Sequence, residues 1–311
     1  MTQAAVVAAV DGSPHSLRAL AWARAEAARH AAPLVVVHVL PDHTQWYAGR
    51  RESVGGAPEP PPDPVRAALP ADLPPGTRYE ALEGSVPVAL RAAGRGARML
   101  VMGSRGRGGF TSLLLGSNSR AVATTAPCPV VVVPHHARLA VEEAAGPDGR
   151  TGPVVLGLHA AETAEEVIEF AFTETAARPG TTLQVLSAFS VPPSPLLLGG
   201  PYAVVTPEAM AETLIDEGRA PAEREMLRSQ NERLRPFRIR HPAVRLEQAA
   251  VPGDAAGSLV QASQEASLVV VGRHRRRLGR SLLMGSVANA VLTHASCPVA
   301  VVPAQDGEEA D

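Results

Sequence analysis

The feature that most constrains the fold of this chain is an internal repeat. A shift of 169 positions superposes residues 101–134 on 270–303, and 18 of those 34 positions are identical. The apolar segments 6–11 and 154–159 match at a shift of 148, so the second copy carries 21 extra residues (169 − 148 = 21). A repeat of this length predicts two domains with one fold rather than a single large core.

Each copy alternates short apolar runs with amphipathic segments. The runs VVAAV, LVVVHVL, MLVMG and VVVV of the first copy contain almost no polar residue, as is typical of strands buried on both faces. Ser13 and Pro14 predict the start of a helix, with an N-cap followed by proline at the first helical position. A long helix is predicted over 207–235 of the second copy. The pattern predicts an α/β fold in each half, with a parallel sheet covered by helices on both faces.

The domain boundaries are predicted from composition. The polar stretch 138–152 contains glycine and proline and is typical of a linker. We therefore expect an N-terminal domain over 1–137, a C-terminal domain over 153–305 and a disordered tail over 306–311. With 311 residues, the chain has room for two domains of ordinary size.

The composition excludes several functions. All 29 basic residues are arginine, which excludes mechanisms that need lysine, such as a Walker-type phosphate loop or a Schiff base. A formal net charge of −2 gives no general attraction to nucleic acid or to anionic membranes. Cys128 and Cys297 are too few for a disulfide framework, and we interpret them as small buried residues. Because the sequence shows neither a signal peptide nor an apolar run of roughly 20 residues, we expect a cytoplasmic protein.

Glycine recurs in the segment GSRGRGGFTSLLLGS, which begins at Gly103 directly after an apolar run. In an open parallel sheet, ligands bind beyond the carboxyl ends of the strands, where the strand order reverses. Gly103 and Gly106 would let the backbone come close to a ligand. Gly116 and Ser117 lie where a helix should begin, and the free N–H groups and dipole at such a position attract anions. The spacing predicts a phosphate-binding loop, but it does not select a base.

The order of these motifs resembles the universal stress protein family, specifically its tandem two-domain members. The resemblance rests on Gly-x2-Gly-x9-Gly-Ser followed by CPVVVVP, on V-D-G-S at the first apolar run, on HVLP at 38–41 and on EGSVPVAL at 83–90. It implies a flavodoxin-like (HUP-type) domain in each half, with five parallel strands in the order 3-2-1-4-5. It also implies ATP binding within a stress response rather than an established metabolic reaction.

The resemblance implies that ATP contacts ten residues of the first half, the last six of them along its phosphates: Ala9, Asp11, Val39, Met102, Gly103, Arg105, Gly106, Gly116, Ser117 and Asn118. Asp11 and the backbone of Val39 would contact adenine. On the residues alone, Asp11 is also explained as a turn residue in Asp-Gly-Ser-Pro, and Arg105 as a solvated loop charge. Asp11 could also help to hold Mg²⁺ beside the phosphates.

The second copy keeps part of this pattern. Its phosphate loop retains three residues that form a second candidate site: Gly272, Gly285 and Ser286. His159 stands in the place of Asp11, and Arg275 stands in the place of Gly106. Arg275 introduces a large side chain where the backbone must approach a ligand, and His159 replaces the residue expected to contact adenine. The second site is therefore predicted to be degenerate or reassigned, with its phosphate end kept in outline and its adenine end lost.

Three hypotheses for the function stay open on the sequence. The leading one is a nucleotide-dependent stress-response and signalling module whose competent site lies in the first half. The enzymatic alternative is a slow ATPase or phosphotransferase, although the sequence shows no catalytic base beside Ser117, and we predict neither a catalytic residue nor a metal site. The third is a nucleotide-free scaffold that acts by dimerisation.

Two segments bear on partners. The valine-rich segments 130–133 and 299–302 are predicted edge strands that pair with each other in an internal pseudo-dimer and could also support a homodimer. The segment 273–280 holds five arginines, but no aromatic residues are interleaved for base stacking. We therefore interpret it as a solvated loop, and we expect neither nucleic acid nor membrane as a partner. The identity of a protein partner stays open.

Overall fold

The computed structural model describes residues 3–40, 63–106, 115–135, 152–190, 207–273, 275–278 and 281–304. Residues 138–151 of the predicted linker and the whole predicted tail lie outside these ranges. The first half contains β1 Val6–Ala9, α1 Pro14–Arg29, β2 Leu34–Leu40, α2 Pro64–Ala67, β3 Arg78–Glu83, α3 Val86–Ala93, β4 Met99–Gly103, α4 Ser117–Thr125 and β5 Val130–Val133. The second half contains β6 Val154–Gly157, α5 Glu165–Ala176, β7 Thr182–Phe189, α6 Pro207–Arg240, β8 Arg245–Pro252, α7 Ala255–Ala262, β9 Leu268–Gly272, β10 Arg275–Leu278, β11 Ser281–Met284, α8 Ser286–His294 and β12 Val299–Val302.

The two halves share one sheet of ten strands, in the order β3-β2-β1-β4-β5-β12-β9-β6-β7-β8. Neighbouring strands are parallel except β5 and β12, which run antiparallel and join the halves. Val132 lies opposite Val299, and Val130 lies opposite Val301. The α/β fold class and the predicted pairing of the last two strands are therefore confirmed.

The central strands are apolar along their whole length because helices cover both faces of the sheet. All residues of β5 and of β12 are buried. One face packs on α1, α5 and α6 through side chains that include Leu20, Phe172 and Phe237. The other face packs on α3, α4, α7 and α8, with Leu90 and Val122 among the buried side chains. Each such apolar side chain contributes roughly 1.5–3 kcal/mol on full burial.

The long helix of the second half ends later than the sequence indicated. α6 continues to Arg240 across Pro236, whereas the prediction ended it at 235. A proline inside a helix removes one N–H and clashes with the preceding turn, so it usually ends the helix. Leu234 and Phe237, on either side of Pro236, are fully buried. Their packing holds this segment helical.

The interpretation of the arginine-rich segment 273–280 as a loop was wrong for Arg275–Leu278, which form a strand. β10 and β11 form an antiparallel pair in which Arg275 lies opposite Met284 and Leu278 opposite Ser281. Two residues, the first of them Gly279, separate the strands in the sequence. A two-residue connection that begins with glycine is a hairpin signal, and the high arginine content obscured it.

Candidate functional site

The first half contains a cavity of about 510 Å³ at the carboxyl ends of its central strands. β1 pairs with both β2 and β4, so the order of the strands reverses beside β1. Parallel α/β sheets bind their ligands in the crevice at such a reversal. The volume lies within the roughly 300–1,000 Å³ that is typical of small-molecule sites.

All ten residues that the family resemblance places around the nucleotide line this cavity: Ala9, Asp11, Val39, Met102, Gly103, Arg105, Gly106, Gly116, Ser117 and Asn118. They belong to four separate stretches of the chain, at 9–11, at position 39, at 102–106 and at 116–118. The first three stretches lie at the carboxyl ends of β1, β2 and β4, and the fourth lies at the start of α4. Because these ends meet at one edge of the sheet, the fold brings the four stretches together.

Seven further residues line the cavity without having been predicted: Val10, Ser16, Val37, His38, Val86, Leu90 and Ser119. Val86 and Leu90 lie four positions apart in α3 and therefore share one face of that helix. The spacing was visible in the segment EGSVPVAL. Which face of α3 turns toward the strand ends depends on how the helix packs, and the sequence does not show that.

Close contacts within the protein restrict the residue at position 103 and, less strictly, at 106. A Cβ atom added to Gly103 would lie 3.0 Å from the carbonyl oxygen of His15, which is backbone and cannot easily move. One added to Gly106 would lie 2.7 Å from Oδ2 of Asp11, at the end of a side chain that can turn away. We expected these glycines to expose backbone to a ligand. They also let the 103–106 loop pack closely against the turn that follows β1 and the start of α1.

Asp11 shapes its own turn and also lines the cavity. Its Oδ1 accepts hydrogen bonds from the Ser13 N–H at 2.9 Å and from the Ser13 hydroxyl at 2.6 Å. Gly12, between these two residues, has a φ of +79°, which favours glycine. The turn hypothesis and the ligand hypothesis for Asp11 are therefore compatible, because one oxygen holds the turn while Oδ2 lies beside Gly106.

The amino-terminal end of α4 opens on the same cavity. Gly116 is its N-cap, and its N–H donates to the Ser104 carbonyl oxygen at 2.7 Å, so this amide is already used. The first amide that bonds back into the helix is that of Arg120, which donates to Gly116. The preceding first-turn amides of Ser117 and Asn118 belong to the group of N–H donors that an α-helix leaves for capping groups or ligands.

A hydrogen bond from a side chain of α4 itself holds this helix against the 103–106 loop. The Ser119 hydroxyl is buried and donates to the Gly103 carbonyl oxygen at 2.9 Å. The first turn of α4 and the loop are therefore tied together, and the position of the helix dipole at the cavity is set by the protein itself.

The second half has an equivalent cavity of about 450 Å³, lined by Gly272, Gly285 and Ser286 among others. His159, which replaces Asp11, also lines it, and its N–H donates to the Thr163 hydroxyl at 2.9 Å. The side chain of Arg275, on which the expectation of a degenerate site depends, lies outside the part of the chain whose side chains the structure describes.

Comparison with known proteins identifies the family. The model of the universal stress protein family matches the chain twice, over residues 4–134 and 151–303. The chain belongs to the universal stress protein family. Its internal repeat is a tandem of two universal stress protein units.

Relatives of the same family are similar over the whole length. The universal stress protein Rv2005c of Mycobacterium tuberculosis is 32% identical over 313 residues, which cover 96% of this chain and 97% of the relative. A universal stress protein of Mycolicibacterium smegmatis is 32% identical over 315 residues, with 97% of each chain covered. The tandem arrangement is therefore shared with these universal stress proteins.

A solved structure supports the fold. The crystal structure of a universal stress protein from Archaeoglobus fulgidus superposes with a TM-score of 0.60 at 17% sequence identity, covering 97% of this chain and 99% of its own. This likeness concerns the flavodoxin-like fold of universal stress proteins alone. In the described part of the present chain, we find no helix that combines the length and the apolar character needed to cross a membrane.

Proposed function

We propose that this universal stress protein binds ATP in the cavity of its first half and acts as a nucleotide-dependent module in a stress response. One observation carries the proposal: ten residues chosen by family resemblance, from four separate stretches of the chain, line one cavity at the reversal of strand order. Strand ends of this kind are where parallel α/β sheets hold nucleotides.

The two ends of the cavity suit the two ends of ATP. The apolar residues Ala9, Val39 and Met102 lie at the strand ends and offer a surface for a base and a ribose. The first turn of α4 offers backbone N–H groups and the positive end of a helix dipole, which together favour phosphate. ATP bound here would contact both the 103–106 loop and the first turn of α4, and so change the surface that a partner protein contacts.

For the second half we propose that its cavity no longer holds adenine in the same way. His159 lies where the first half has Asp11, and its side chain is 63% exposed. Gly285 and Ser286 keep the position of the phosphate-binding turn at the start of α8. The full chain is therefore expected to bind one equivalent of ATP, in the first half.

The proposal is tested with a matched pair of substitutions in the full-length protein. Gly116 and Gly285 are equivalent N-caps, with φ of −71° and −57° respectively. Aspartate is a favoured N-cap residue, so Gly116→Asp and Gly285→Asp should both fold. At position 116 the new carboxylate would occupy the first-turn amides and repel phosphate, whereas at 285 it would act far from the proposed site.

Isothermal titration calorimetry with ATP measures the result. We expect one site per chain in the unsubstituted protein, at least tenfold weaker binding in Gly116→Asp, and unchanged binding in Gly285→Asp, since tenfold corresponds to about 1.4 kcal/mol. No heat with the unsubstituted protein would refute the proposal. Loss of binding in Gly285→Asp alone would move the site to the second half.

A further inference from the structure

A cluster of buried ionisable side chains lies where the two halves meet. α1 of the first half and α5 of the second half end beside each other, and Glu26 and Glu174 lie on these helices with no exposed surface. The His30 side chain is 5% exposed, and Arg178 is 4% exposed. Charged groups are almost never buried in this way unless they are paired or bind a metal ion.

The internal repeat relates these residues to one another. The shift of 148 that superposes the first strands also places Glu26 on Glu174 and His30 on Arg178. Each glutamate is therefore followed, one helical turn later, by a basic residue. The basic residue is His30 in the first copy and Arg178 in the second, and this difference makes the site between the copies asymmetric.

Three atoms of the cluster point at one another. Glu26, His30 and Glu174 each offer one potential ligand atom, and the three atoms lie within 4.8 Å of one another. His30 Nε2 lies 3.0 Å from Glu174 Oε1 and 3.8 Å from Glu26 Oε2. Each of these three atoms is buried and makes no hydrogen bond of good geometry to a described residue, although His30 Nε2 and Glu174 Oε1 are close enough to share a proton. Buried polar atoms in this state are rare and indicate an ordered water, an ion or another ligand at the site.

Arginine side chains hold the carboxylates from the opposite side. Arg178 donates to Glu26 Oε1 at 2.7 Å and to Glu174 Oε2 at 2.8 Å. Arg29 also donates to Glu26 Oε1. The outer oxygen of each carboxylate is thus occupied, and the inner oxygen is oriented toward the imidazole. Metal-binding carboxylates are commonly fixed by such outer hydrogen bonds.

A proton on His30 cannot satisfy the whole cluster. The Nε2–H group points in one direction and can serve only one of the two inner carboxylate oxygens, which leaves the other buried without a donor. A cation placed between the three atoms would bind all of them at once. With metal bonds of about 2.1 Å, two ligands at the tetrahedral angle lie about 3.4 Å apart, and the distances of 3.0 and 3.8 Å bracket this value.

We propose that Glu26, His30 and Glu174 form a binding site for a divalent transition metal, Zn²⁺ in the first instance, that joins the two halves of the protein. Zn²⁺ accepts imidazole nitrogen and carboxylate oxygen together, whereas Mg²⁺ and Ca²⁺ prefer oxygen ligands alone. The sequence predicted no metal site because the ligands are 148 positions apart (174 − 26 = 148) and match no local motif.

The surrounding charges allow a cation at this place. The two glutamates are offset by the guanidinium groups of Arg178 and Arg29, of which Arg29 is 27% exposed and can turn outward into water. The cluster also lies at the carboxyl ends of α1 and α5, where the helix dipoles favour positive charge.

The test measures zinc in the full-length, tag-free protein after incubation with ZnCl₂ and desalting. The decisive variant is His30→Arg, which removes one ligand. Arginine is the residue that the second half has at the equivalent position, Arg178. The variant therefore keeps a positive charge and hydrogen-bond donors for the carboxylates. We expect about one Zn²⁺ per chain in the unsubstituted protein and at least tenfold weaker binding in His30→Arg. Zn²⁺ should raise the unfolding temperature of the former and leave that of the variant unchanged.

A partly buried histidine outside the cluster, His241, provides the matched control. His241 Nε2 lies 2.7 Å from Glu169 Oε1 at a position where Glu169 is 41% exposed, and His241→Gln should leave the zinc content unchanged. Glu174→Gln is the second test of the site if His30→Arg does not fold, as judged by circular dichroism, and it too should lose zinc. Zinc content that is near zero in the unsubstituted protein, or equal in the ligand variants, would overturn the proposal.

Discussion

Ala31 has a backbone conformation that normally requires glycine. Within the described residues it is the only non-glycine residue with a positive φ, at +49°. It follows the end of α1, where the Ala32 N–H donates to the Ala27 carbonyl oxygen at 2.8 Å. This pattern closes many helices and places glycine at the position that Ala31 occupies. An L-residue in that region costs about 1–2 kcal/mol.

We expect Ala31→Gly to stabilise the protein by about 0.5–1 kcal/mol, because relief of the strained φ exceeds the entropy that glycine adds to the unfolded chain. Urea unfolding in the presence of a chelator measures the change without any contribution from metal. Ala28, an exposed residue inside α1, gives the control. Ala28→Gly should destabilise the protein by a similar amount, and stabilisation by both substitutions would show that helix end geometry is not the cause.

At the scale of single residues, the sequence predicted small buried groups better than charged ones. Cys128 and Cys297 are buried as expected, and burial raises the pKa of the Cys128 thiol to about 11 and that of Cys297 to about 12. Glu26 and Glu174 are equally buried and were not predicted. A cysteine is apolar enough to be buried alone, whereas a glutamate is buried only with partners, and those partners come from the other half of the chain.

At the scale of secondary-structure elements, Asp63 joins three of them. Its Oδ1 accepts from the Val65 N–H at 2.9 Å and so caps α2, and it lies 3.2 Å from Nδ1 of His38 on β2. Its Oδ2 accepts a hydrogen bond from the Tyr79 hydroxyl on β3. Partial burial alone would raise the pKa of Asp63, but the hydrogen bonds from Tyr79, Val65 and His38 outweigh it and lower the pKa.

We expect Asp63→Asn to destabilise the protein by about 1.5–3 kcal/mol at neutral pH, since hydrogen bonds to a charged acceptor are lost. A lowered folded-state pKa stabilises the fold above the unfolded-state value of roughly 3.9 and loses that contribution as the pH falls through the folded-state value. Urea unfolding of both proteins from neutral to acidic pH should therefore show the difference shrinking below about pH 4.

Asp72→Asn is the control for this effect. Asp72 pairs with Arg24 at 2.7 Å, but its side chain is 72% exposed, and exposed ion pairs contribute little. Asp72→Asn should therefore leave the free energy of unfolding unchanged within error. An Asp63→Asn protein that keeps its full stability at neutral pH would mean that the three elements are held together without this carboxylate.

Strands and helices were predictable to different extents. β4 and β2 have the bounds that the apolar runs predicted. A strand buried on both faces is apolar along its whole length, so the run of apolar residues marks the strand directly. The end of α6 was not predictable, since Pro236 is tolerated only through the packing of its neighbours. The family resemblance predicted ten residues that line one cavity, but it did not predict Val86 and Leu90, since their place depends on how α3 packs.

At the scale of the whole molecule, three contacts couple the halves. β5 and β12 continue the sheet from one half into the other. On the helical side, Arg178 of the second half pairs with Glu26 of the first, and both are buried. A further link runs from Arg273, after β9, whose guanidinium donates to the Ala126 carbonyl at the end of α4. Arg273 lines the cavity of the second half, and α4 opens on the cavity of the first half, so this hydrogen bond connects the walls of the two cavities.

We expect these contacts to make the halves unfold together. Phe172 of the second half is fully buried and stacks on Phe237 with 5.9 Å between ring centroids. Phe172→Ala should cost about 3–5 kcal/mol. Both tryptophans of the chain lie in the first half, where Trp22 is buried in α1 and Trp46 lies outside the described residues. The fluorescence of Trp22 therefore reports the unfolding of the first half, whereas far-ultraviolet circular dichroism reports both halves.

For Phe172→Ala, the fluorescence and circular dichroism transitions should move together to a lower urea concentration. The reason is that a half that loses its partner exposes the valine-rich edge strand β5 or β12 to water. Ile239→Ala provides the control, since Ile239 is 72% exposed and on the same half, and it should shift neither signal. The alternative result is an unchanged fluorescence midpoint with a circular dichroism curve that divides into two steps. It would show that the halves unfold independently. The strand pair between β5 and β12 would then be too weak to couple the two cavities.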